Sequence, residues 1–563
     1  MFLHTVLAGC LLTSSYAASV TSRINSELLQ RSPPSVPPSS IGSVAELTIV
    51  NRVIAPDGFK RSATLAGGIF PGPLIKAQKN DKFSINVVNQ LQDHDMPLST
   101  SVHWHGIQQQ KTNWADGTSF ITQCPIPPNR SFLHQFSAPN QTGSFWYHSH
   151  FSTQYCDGLR GPLVIYDPDD PHKDLYDVDD ESTIVTISDW YHDPTTVLNK
   201  VIGPVTNNST LINGLGRYPG GPMSPLSVIN VEQGKRYRFR VFGLSCDPSY
   251  NFTIDGHTMT IIEADGVETV PQTVDRLPVF AGQRYSVVVH ANQPVANYWV
   301  RAQPNLGNQS FVDGLNQAIL RYKGAPEEDP TSSAGSSVLP FNEAMLASLM
   351  SIPVPGVPEI GKADININLV AGNVNGLFTI NNVTFHSPPT PVLLQMLSGA
   401  QHPSDLLPNG SVYELPPNKV VEITIPETGA APGGPHPMHL HGHKFAVVRV
   451  AGNSTPNFVN PIWRDTVSMG TIGDNVTFRF VTDNAGPWFF HCHIDFHLNN
   501  GFAAIMAEAR NQLPIVSESI PGMAAVLVIP SKLIELNFPE TWASLCPSDD
   551  PYTALYNTST VLT

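Results

Sequence analysis

Three times along this chain an aromatic run is followed by a loop and then by a glycine that enters an apolar segment. The copies are Phe145-Trp146-Tyr147-His148 before Asp157-Gly158-Leu159, Tyr298-Trp299-Val300-Arg301 before Asp313-Gly314-Leu315, and Trp488-Phe489-Phe490-His491 before Gly501-Phe502. Gly158, Gly314 and Gly501 are separated by the length of a whole domain, far more than a solenoid repeat. The pattern predicts three copies of one fold in series, and 563 residues are too many for a single hydrophobic core.

Within each copy the strands are short and alternate. Phe83, Ile85 and Val87 form one such set, Val476, Phe478 and Phe480 another, and Tyr237, Phe239 and Val241 a third with Arg238 and Arg240 between them. The 51 Pro outnumber the 31 Lys plus Arg, and charged residues make up only 14%, which excludes a disordered acidic chain and a coiled coil. Short alternating strands between Gly, Pro and Asn turns predict an all-β chain of Greek-key sandwiches or barrels. The net charge of −15 argues against a nucleic-acid partner and against an anionic membrane surface. The outer two copies carry His where the middle copy has Arg301, so the chemistry is expected in the first and third domains.

Phe2 to Ala18 is a short apolar run ending in small residues, which reads as a secretory signal and is too short to span a bilayer, although no Lys or Arg precedes it. Residues 19–42, rich in Ser and Pro, read as a processed or flexible leader. N-x-S/T sequons at Asn129, Asn140, Asn251, Asn308, Asn382, Asn409, Asn453, Asn475 and Asn557 also favour secretion. No later stretch is long and apolar enough to act as a membrane anchor.

Twenty His against six Cys is an unusual ratio, and the histidines concentrate in four segments. These are His103-Trp104-His105, His148-Ser149-His150, His436-Pro437-Met438-His439-Leu440-His441-Gly442-His443, and His491-Cys492-His493-Ile494-Asp495-Phe496-His497. In an extended strand residues i and i+2 point to one side, so each H-x-H pair can direct two imidazoles into one site. A core role for the histidines fits poorly, because four H-x-H repeats have no packing rationale. Imidazole-rich sites suit copper, zinc, iron or nickel. One thiolate with two imidazoles describes a blue copper site, and Cys492, His497 and the distant His436 supply that set. Structural zinc sites hold several Cys among four ligands, whereas here one Cys stands among many His.

These four segments resemble the copper-binding motifs of the multicopper oxidases. The strings Asn113-Trp114-Ala115-Asp116-Gly117, Gln154-Tyr155-Cys156-Asp157-Gly158 and Ser245-Cys246-Asp247-Pro248 further resemble secreted laccases of wood- and litter-decaying fungi. The resemblance runs over nearly the whole chain after the leader. It implies three consecutive cupredoxin-like domains: 43–168 with cluster ligands, 169–325 without ligands but forming a wall of the substrate pocket, and 326–563 with the blue copper and further cluster ligands. It also implies four coppers. His436, Cys492 and His497 would hold a type 1 copper and His103 with His439 a type 2 copper. His105, His148, His150, His441, His491 and His493 would hold a type 3 pair. The implied activity is oxidation of phenols and aromatic amines at the blue copper, coupled to reduction of dioxygen to water at the cluster, in the turnover of lignin or other phenolics. Cys492 lies directly between His491 and His493, so one short covalent stretch joins the two sites.

Phe502 follows Cys492 by ten residues, at a position where lower-potential relatives carry Met or Leu. A ring there provides no axial donor, which leaves Cu(II) less stabilised and raises the potential. Phe502 is equally suited to the core of the closing strand. The resemblance implies that Asp247 accepts the phenolic proton, although Asp-Pro pairs also commonly open turns. Asn305, Pro432, Gly433 and Ile494 would line the same pocket, with His497 presenting the ring edge that receives the electron. Asp116 and Asp465 match acidic positions that deliver protons to dioxygen, and either is equally readable as a structural carboxylate. His257 and His443 read as structural. Setting aside Cys10 in the signal and Cys492 leaves Cys124, Cys156, Cys246 and Cys546, an even set for an oxidising compartment. The resemblance implies the pairs Cys124–Cys546 and Cys156–Cys246. The whole reading is of a secreted monomeric enzyme. A secreted ferroxidase stands as the nearest alternative, with a non-catalytic copper-binding protein further off. Ascorbate oxidation is disfavoured because Phe502 replaces the expected Met.

Overall fold

Each of the three aromatic runs lies on a strand whose antiparallel partner is the apolar segment beyond the glycine. Gly143–His148 pairs with Arg160–Tyr166, Asn297–Pro304 with Gln317–Tyr322, and Gly486–Cys492 with Ala503–Glu508. The registers correspond, with Trp146 opposite Pro162, Trp299 opposite Ile319 and Trp488 opposite Met506. The sequence repeat is thus the same hairpin used three times. These positions come from a computed structural model that describes residues 39–513, except 202, 400 and 401, together with 542, 545 and 546. The signal, most of the leader, Cys10 and Asn557 lie outside the described residues.

The first domain is a sandwich of two sheets. One runs in the order Arg61–Ala66, Val44–Ile54, Lys82–Asn89, Ser131–Ser137, and the other in the order Ser40–Gly42, Leu74–Gln78, Arg160–Tyr166, Gly143–His148, His103–His105. Alternation along the strands sends Ile49, Phe83, Ile85, Val87 and Phe132 of one sheet against Ile75, Trp104, Phe145, Tyr147 and Leu163 of the other. Each side chain buried in this way contributes about 1.5–3 kcal/mol. The structured chain starts earlier than composition suggests. Ser40–Gly42, assigned to the leader from its Ser and Pro content, is an edge strand that pairs in parallel with Leu74 to Lys76.

The middle domain packs a 7-stranded sheet against a 5-stranded one, and the third domain uses two 5-stranded sheets and a small hairpin. Their apolar residues merge into one continuous core running from Val185 to Met506. The stretch after the middle domain's last strand first follows that domain: Val270 N–H donates to Ala347 O, and Leu349 N–H to Glu268 O. The third domain's first strand is Ile365–Asn368. Arg238 and Arg240 stand on the face that alternation assigns to solvent, yet they are buried. Arg238 pairs with Asp170 and Glu263, and Arg240 with Asp179 and Glu263, because that face packs against the first domain and the linker after it. Arg301, standing where the other copies have a histidine, pairs with Asp255 at 2.7 Å.

Both implied disulfides form. Cys124–Cys546 closes a loop of 422 residues and ties the C-terminal stretch to the first domain, where Trp542 and Leu545 enter the core. Cys156–Cys246 joins the first domain to the middle one.

Candidate metal centre

Two strand pairs bring the histidines together. His103 lies opposite His148 in the first domain, and His439 lies opposite His491 in the third. The pairs do not each serve a single site, as simple strand alternation suggests. His148, His439 and His491 stand at or near strand ends, while their partners His150, His441 and His493 lie beyond them, where the chain turns. The members of the pairs His148/His150, His439/His441 and His491/His493 therefore join different neighbours, whereas His103 and His105 meet in one set and His105 also joins a second. Converging donor groups are His105, His148 and His493; His150, His441 and His491; and His103, His105 and His439. The result is one continuous cluster of eight buried imidazoles, four from each outer domain.

Backbone and carboxylate acceptors set the tautomers. The Nδ1–H groups of His103, His148, His439 and His491 donate to the carbonyls of Asp116, Ser149, Asp465 and Cys492 at 2.7, 2.9, 2.8 and 2.9 Å. A ring that donates from Nδ1 carries a lone pair on Nε2. The Nε2 atoms of His103, His148, His150 and His439 are buried and have no hydrogen-bond partner. His441 donates from Nδ1 to Asp116 Oδ2 at 2.8 Å, which leaves its Nε2 facing that of His491 at 3.0 Å with no proton between them. Lone pairs turned on one another and buried acceptors without donors are costly in a bare protein and are what a cation satisfies. Burial, reinforced by neighbouring imidazoles, holds His105, His148, His150, His439, His441 and His493 well below the usual histidine range, so all are neutral and available as ligands near pH 7.

Asp116 and Asp465 play matching parts. Asp116, in the first domain, receives His103 on its carbonyl and the third domain's His441 on its carboxylate. Asp465, in the third, receives His439 on its carbonyl and the first domain's His105 on its carboxylate at 3.1 Å. Each aspartate orients one ring from each domain. Asp465 is held by Arg284 of the middle domain, whose two terminal nitrogens reach its two oxygens at 2.7 and 2.8 Å. Thr118 Oγ1 donates to Asp116 Oδ2 at 2.7 Å. Neither Arg284 nor Thr118 carries a motif signal; Thr118 was findable only by its place just after Asp116-Gly117. Gly117 has φ +83°, and a Cβ there would lie 1.8 Å from Val102 O, so only glycine lets Asp116 approach the strand of His103 this closely.

The strand Gly486–Cys492 sends Cys492 to the face opposite His491. Its Sγ lies 3.7 Å from His436 Nδ1 and 3.8 Å from His497 Nδ1, and those two nitrogens are 3.2 Å apart. His436 donates from Nε2 to Ala431 O at 3.2 Å, leaving Nδ1 free to bind. Burial pushes the Cys492 thiol well above its usual value, so a thiolate here requires a cation beside it. Phe502, 1% exposed, sets its ring 5.1 Å from that of His436 and stacks on Phe378, which lies 4.2 Å from His497. Carbon surrounds the triangle on that side.

His497 is half-buried, and a Cβ on the exposed Gly433 would lie 3.0 Å from its Nε2. Pro432, beside Gly433, is exposed as well. Asp247 and Asn305 sit on adjoining loops, with Ser249 N–H donating to Asn305 Oδ1 at 2.9 Å. That loop is joined to the short helix Asp495–Asn499, which carries His497, by Asp495 N–H donating to Cys246 O at 2.8 Å. Ile494 precedes the helix and is buried. Burial, with the neighbouring Asp189 carboxylate, pushes Asp247 up to about 8. His443 pairs with Glu508, and His257 bonds Tyr322 and Asp255 O, so both are structural as read.

Two donor sets, one of a lone thiolate with two imidazoles and one of eight imidazoles, joined through adjacent residues of the third of three β-sandwich domains, define a copper oxidase architecture. Multicopper oxidase family models match residues 48–170, 181–325 and 385–512. The chain belongs to the multicopper oxidase family. It is 54% identical over 513 residues to a laccase of Pycnoporus cinnabarinus, covering 91% of this chain and 95% of that one. Laccase-4 of Trametes villosa is 57% identical over 471 residues, covering 84% and 90%. The crystal structure of a Botrytis aclada laccase superimposes with a TM-score of 0.73 at 30% identity, covering 85% of this chain and 90% of that one.

Proposed function

We propose that the protein is a secreted laccase, oxidising phenols and aromatic amines one electron at a time and reducing dioxygen to two waters. The observation that carries this reading is the run His491-Cys492-His493, which places the thiolate in one donor set and both its neighbours in the other. When bound, four coppers supply the redox chemistry, one taking single electrons from the organic donor and three delivering four electrons to dioxygen. His436, Cys492 and His497 would hold the first; His103 and His439 would hold the second; and His105, His148, His150, His441, His491 and His493 would hold the remaining two.

The chain's own residues do the rest. His497 presents its exposed edge to the donor between Gly433, Pro432, Ile494 and the Asn305 loop, so the electron enters through an imidazole bonded to the site. Asp247 takes the phenolic proton, which makes removal of the electron easier. The buried Asp116 and Asp465 sit beside the cluster, where dioxygen reduction consumes protons, and Asp116 passes them inward. Phe502 keeps water and donor atoms away from the Cys492 triangle, which favours a high potential. Exposed sequons such as Asn129, Asn140, Asn308, Asn382 and Asn409 are available for glycosylation in a secreted monomer acting on lignin-derived or other phenolics.

Steady-state oxidation of a dimethoxyphenol, Fe(II) and ascorbate by the purified protein tests the assignment. The phenol is expected to be the best donor by at least about tenfold, and comparable efficiency on Fe(II) would replace this reading with a ferroxidase. A second outcome follows from Asp247. Its carboxyl accepts a proton only when ionised, so kcat/KM for a phenol should rise with pH as Asp247 deprotonates. In Asp247→Asn that rising limb is lost and phenol oxidation falls by about 10²-fold, as removal of a general base predicts. Ferrocyanide, which gives an electron without a proton, should lose much less; equal losses would assign Asp247 to structure alone.

A further inference from the structure

Asp189 is fully buried at the end of the middle domain's strand Ile184–Trp190 and belongs to neither donor set. Its carboxylate is nevertheless heavily engaged, and it accepts from the backbone of Asp247 itself. Cys246 N–H donates to both its oxygens at 3.0 Å, Asp247 N–H to Oδ2 at 3.1 Å, and the Tyr191 hydroxyl to Oδ2 at 2.9 Å. Arg160 of the first domain donates to Oδ1 at 3.0 Å and to the Asp189 carbonyl at 2.6 Å. Two successive backbone amides turned onto one carboxylate fix the turn from which the Asp247 side chain departs. The same turn holds the helix of His497 through Cys246 O and Asp495 N–H.

We infer that Asp189 is the positioning residue for proton transfer from phenolic donors: it fixes the Cys246-Asp247 turn through both amides and sets the charge environment in which the Asp247 carboxyl works. The inference rests on the reading of Asp247 as the proton acceptor. The charge effect has a definite sign. A buried carboxylate beside a second one disfavours ionisation of its neighbour, and Asp189 is the group that adds to burial in raising Asp247. The other titratable groups around this pair are Tyr191, Tyr250 and Cys492, which sense the Asp247 charge, and Arg160, Tyr155 and Asp495, which face Asp189. Arg160 engages Asp189 directly, and no cation forms a salt bridge with Asp247 among the described residues.

The test compares pH profiles of kcat/KM for a dimethoxyphenol and for ferrocyanide in the copper-loaded protein and in Asp189→Asn, Asp247→Asn and Tyr191→Phe. In Asp189→Asn the rising limb for the phenol should move to lower pH by about one unit, the size and sign expected when a like charge is removed. Its plateau should fall several-fold as the turn loosens, while ferrocyanide oxidation and the blue absorption stay within about twofold. Tyr191→Phe removes a donor from Asp189, leaves its charge less compensated, and should move the limb the other way. This variant keeps the test open if Asp189→Asn, which strips a buried Arg160 of its counter-ion, fails to accumulate. A limb unmoved in both variants, or in Tyr191→Phe alone should the other not accumulate, overturns the role of Asp189, provided Asp247→Asn abolishes that limb. If Asp247→Asn leaves the limb intact, the failure lies in the proton-acceptor reading, and the role of Asp189 falls with it.

Discussion

In the Cys492→Ser variant the intense blue absorption is expected to vanish and phenol oxidation to fall by well over about 100-fold, beyond the loss caused by removing an outer partner of a ligand. Serine is a hard, neutral oxygen at pH 7 and cannot replace a thiolate in a set whose other members are the Nδ1 atoms of His436 and His497. The change also cuts the sulfur from the residue that, among the described residues, belongs to one donor set while its two neighbours lie in the other. The fold should survive, because the backbone bond from Cys492 N–H to Phe502 O and the pairing with Met438 remain. Absorption, copper content and near-ultraviolet circular dichroism check the three parts separately. A colourless variant with unchanged dichroism but full phenol oxidation would contradict the electron path.

Asp465→Ala should be the most damaging change outside the ligands themselves. It strips the fully buried Arg284 of its two-pronged partner and leaves it only the longer contact with Asp265 at 3.6 Å, and breaking a buried ion pair by removing one partner costs about 3–5 kcal/mol. It also removes the acceptor that holds His105, for which metal affinity falls about 10–100-fold. The two effects separate in the double variant Arg284→Met with Asp465→Leu, in which neither member of the ion pair is left without the other. Urea unfolding should then recover most of the stability while the cluster's affinity for copper stays low. Recovery of both would mean that Asp465 serves the fold alone.

The candidate metal centre was largely legible in the sequence because clustered imidazoles beside a lone cysteine leave dense local marks. The four histidine-rich segments and one cysteine contain every imidazole and thiol that the described residues bring together as donor groups, and the twin hairpins around Trp146 and Trp488 were visible as repeats. The pairing of the four remaining cysteines could not be derived from their number and came from family resemblance. What escaped was whatever acts between domains. Arg238 and Arg240 alternate with apolar neighbours as solvent-facing residues do, and nothing local reveals that another domain covers that face. Arg284 and Asp465 lie 181 residues apart, and so carry no mark of their contact. Ser40–Gly42 is too short and polar to read as a strand, and takes that form only because Leu74 to Lys76 offers an open edge. Asp116 and Asp465 stand out in the sequence through the family resemblance alone, and nothing local shows that each reaches across to a ring of the other outer domain.

In the proposed function, electrons taken singly at the Cys492 set are gathered at the eight-histidine cluster and delivered together to dioxygen. Simultaneous recording of dioxygen uptake and ferrocyanide oxidation by the copper-loaded protein tests it most directly. Four ferrocyanides should be oxidised for every dioxygen consumed, with no hydrogen peroxide released at any stage of the reaction. A ratio of two to one with stoichiometric peroxide would contradict it.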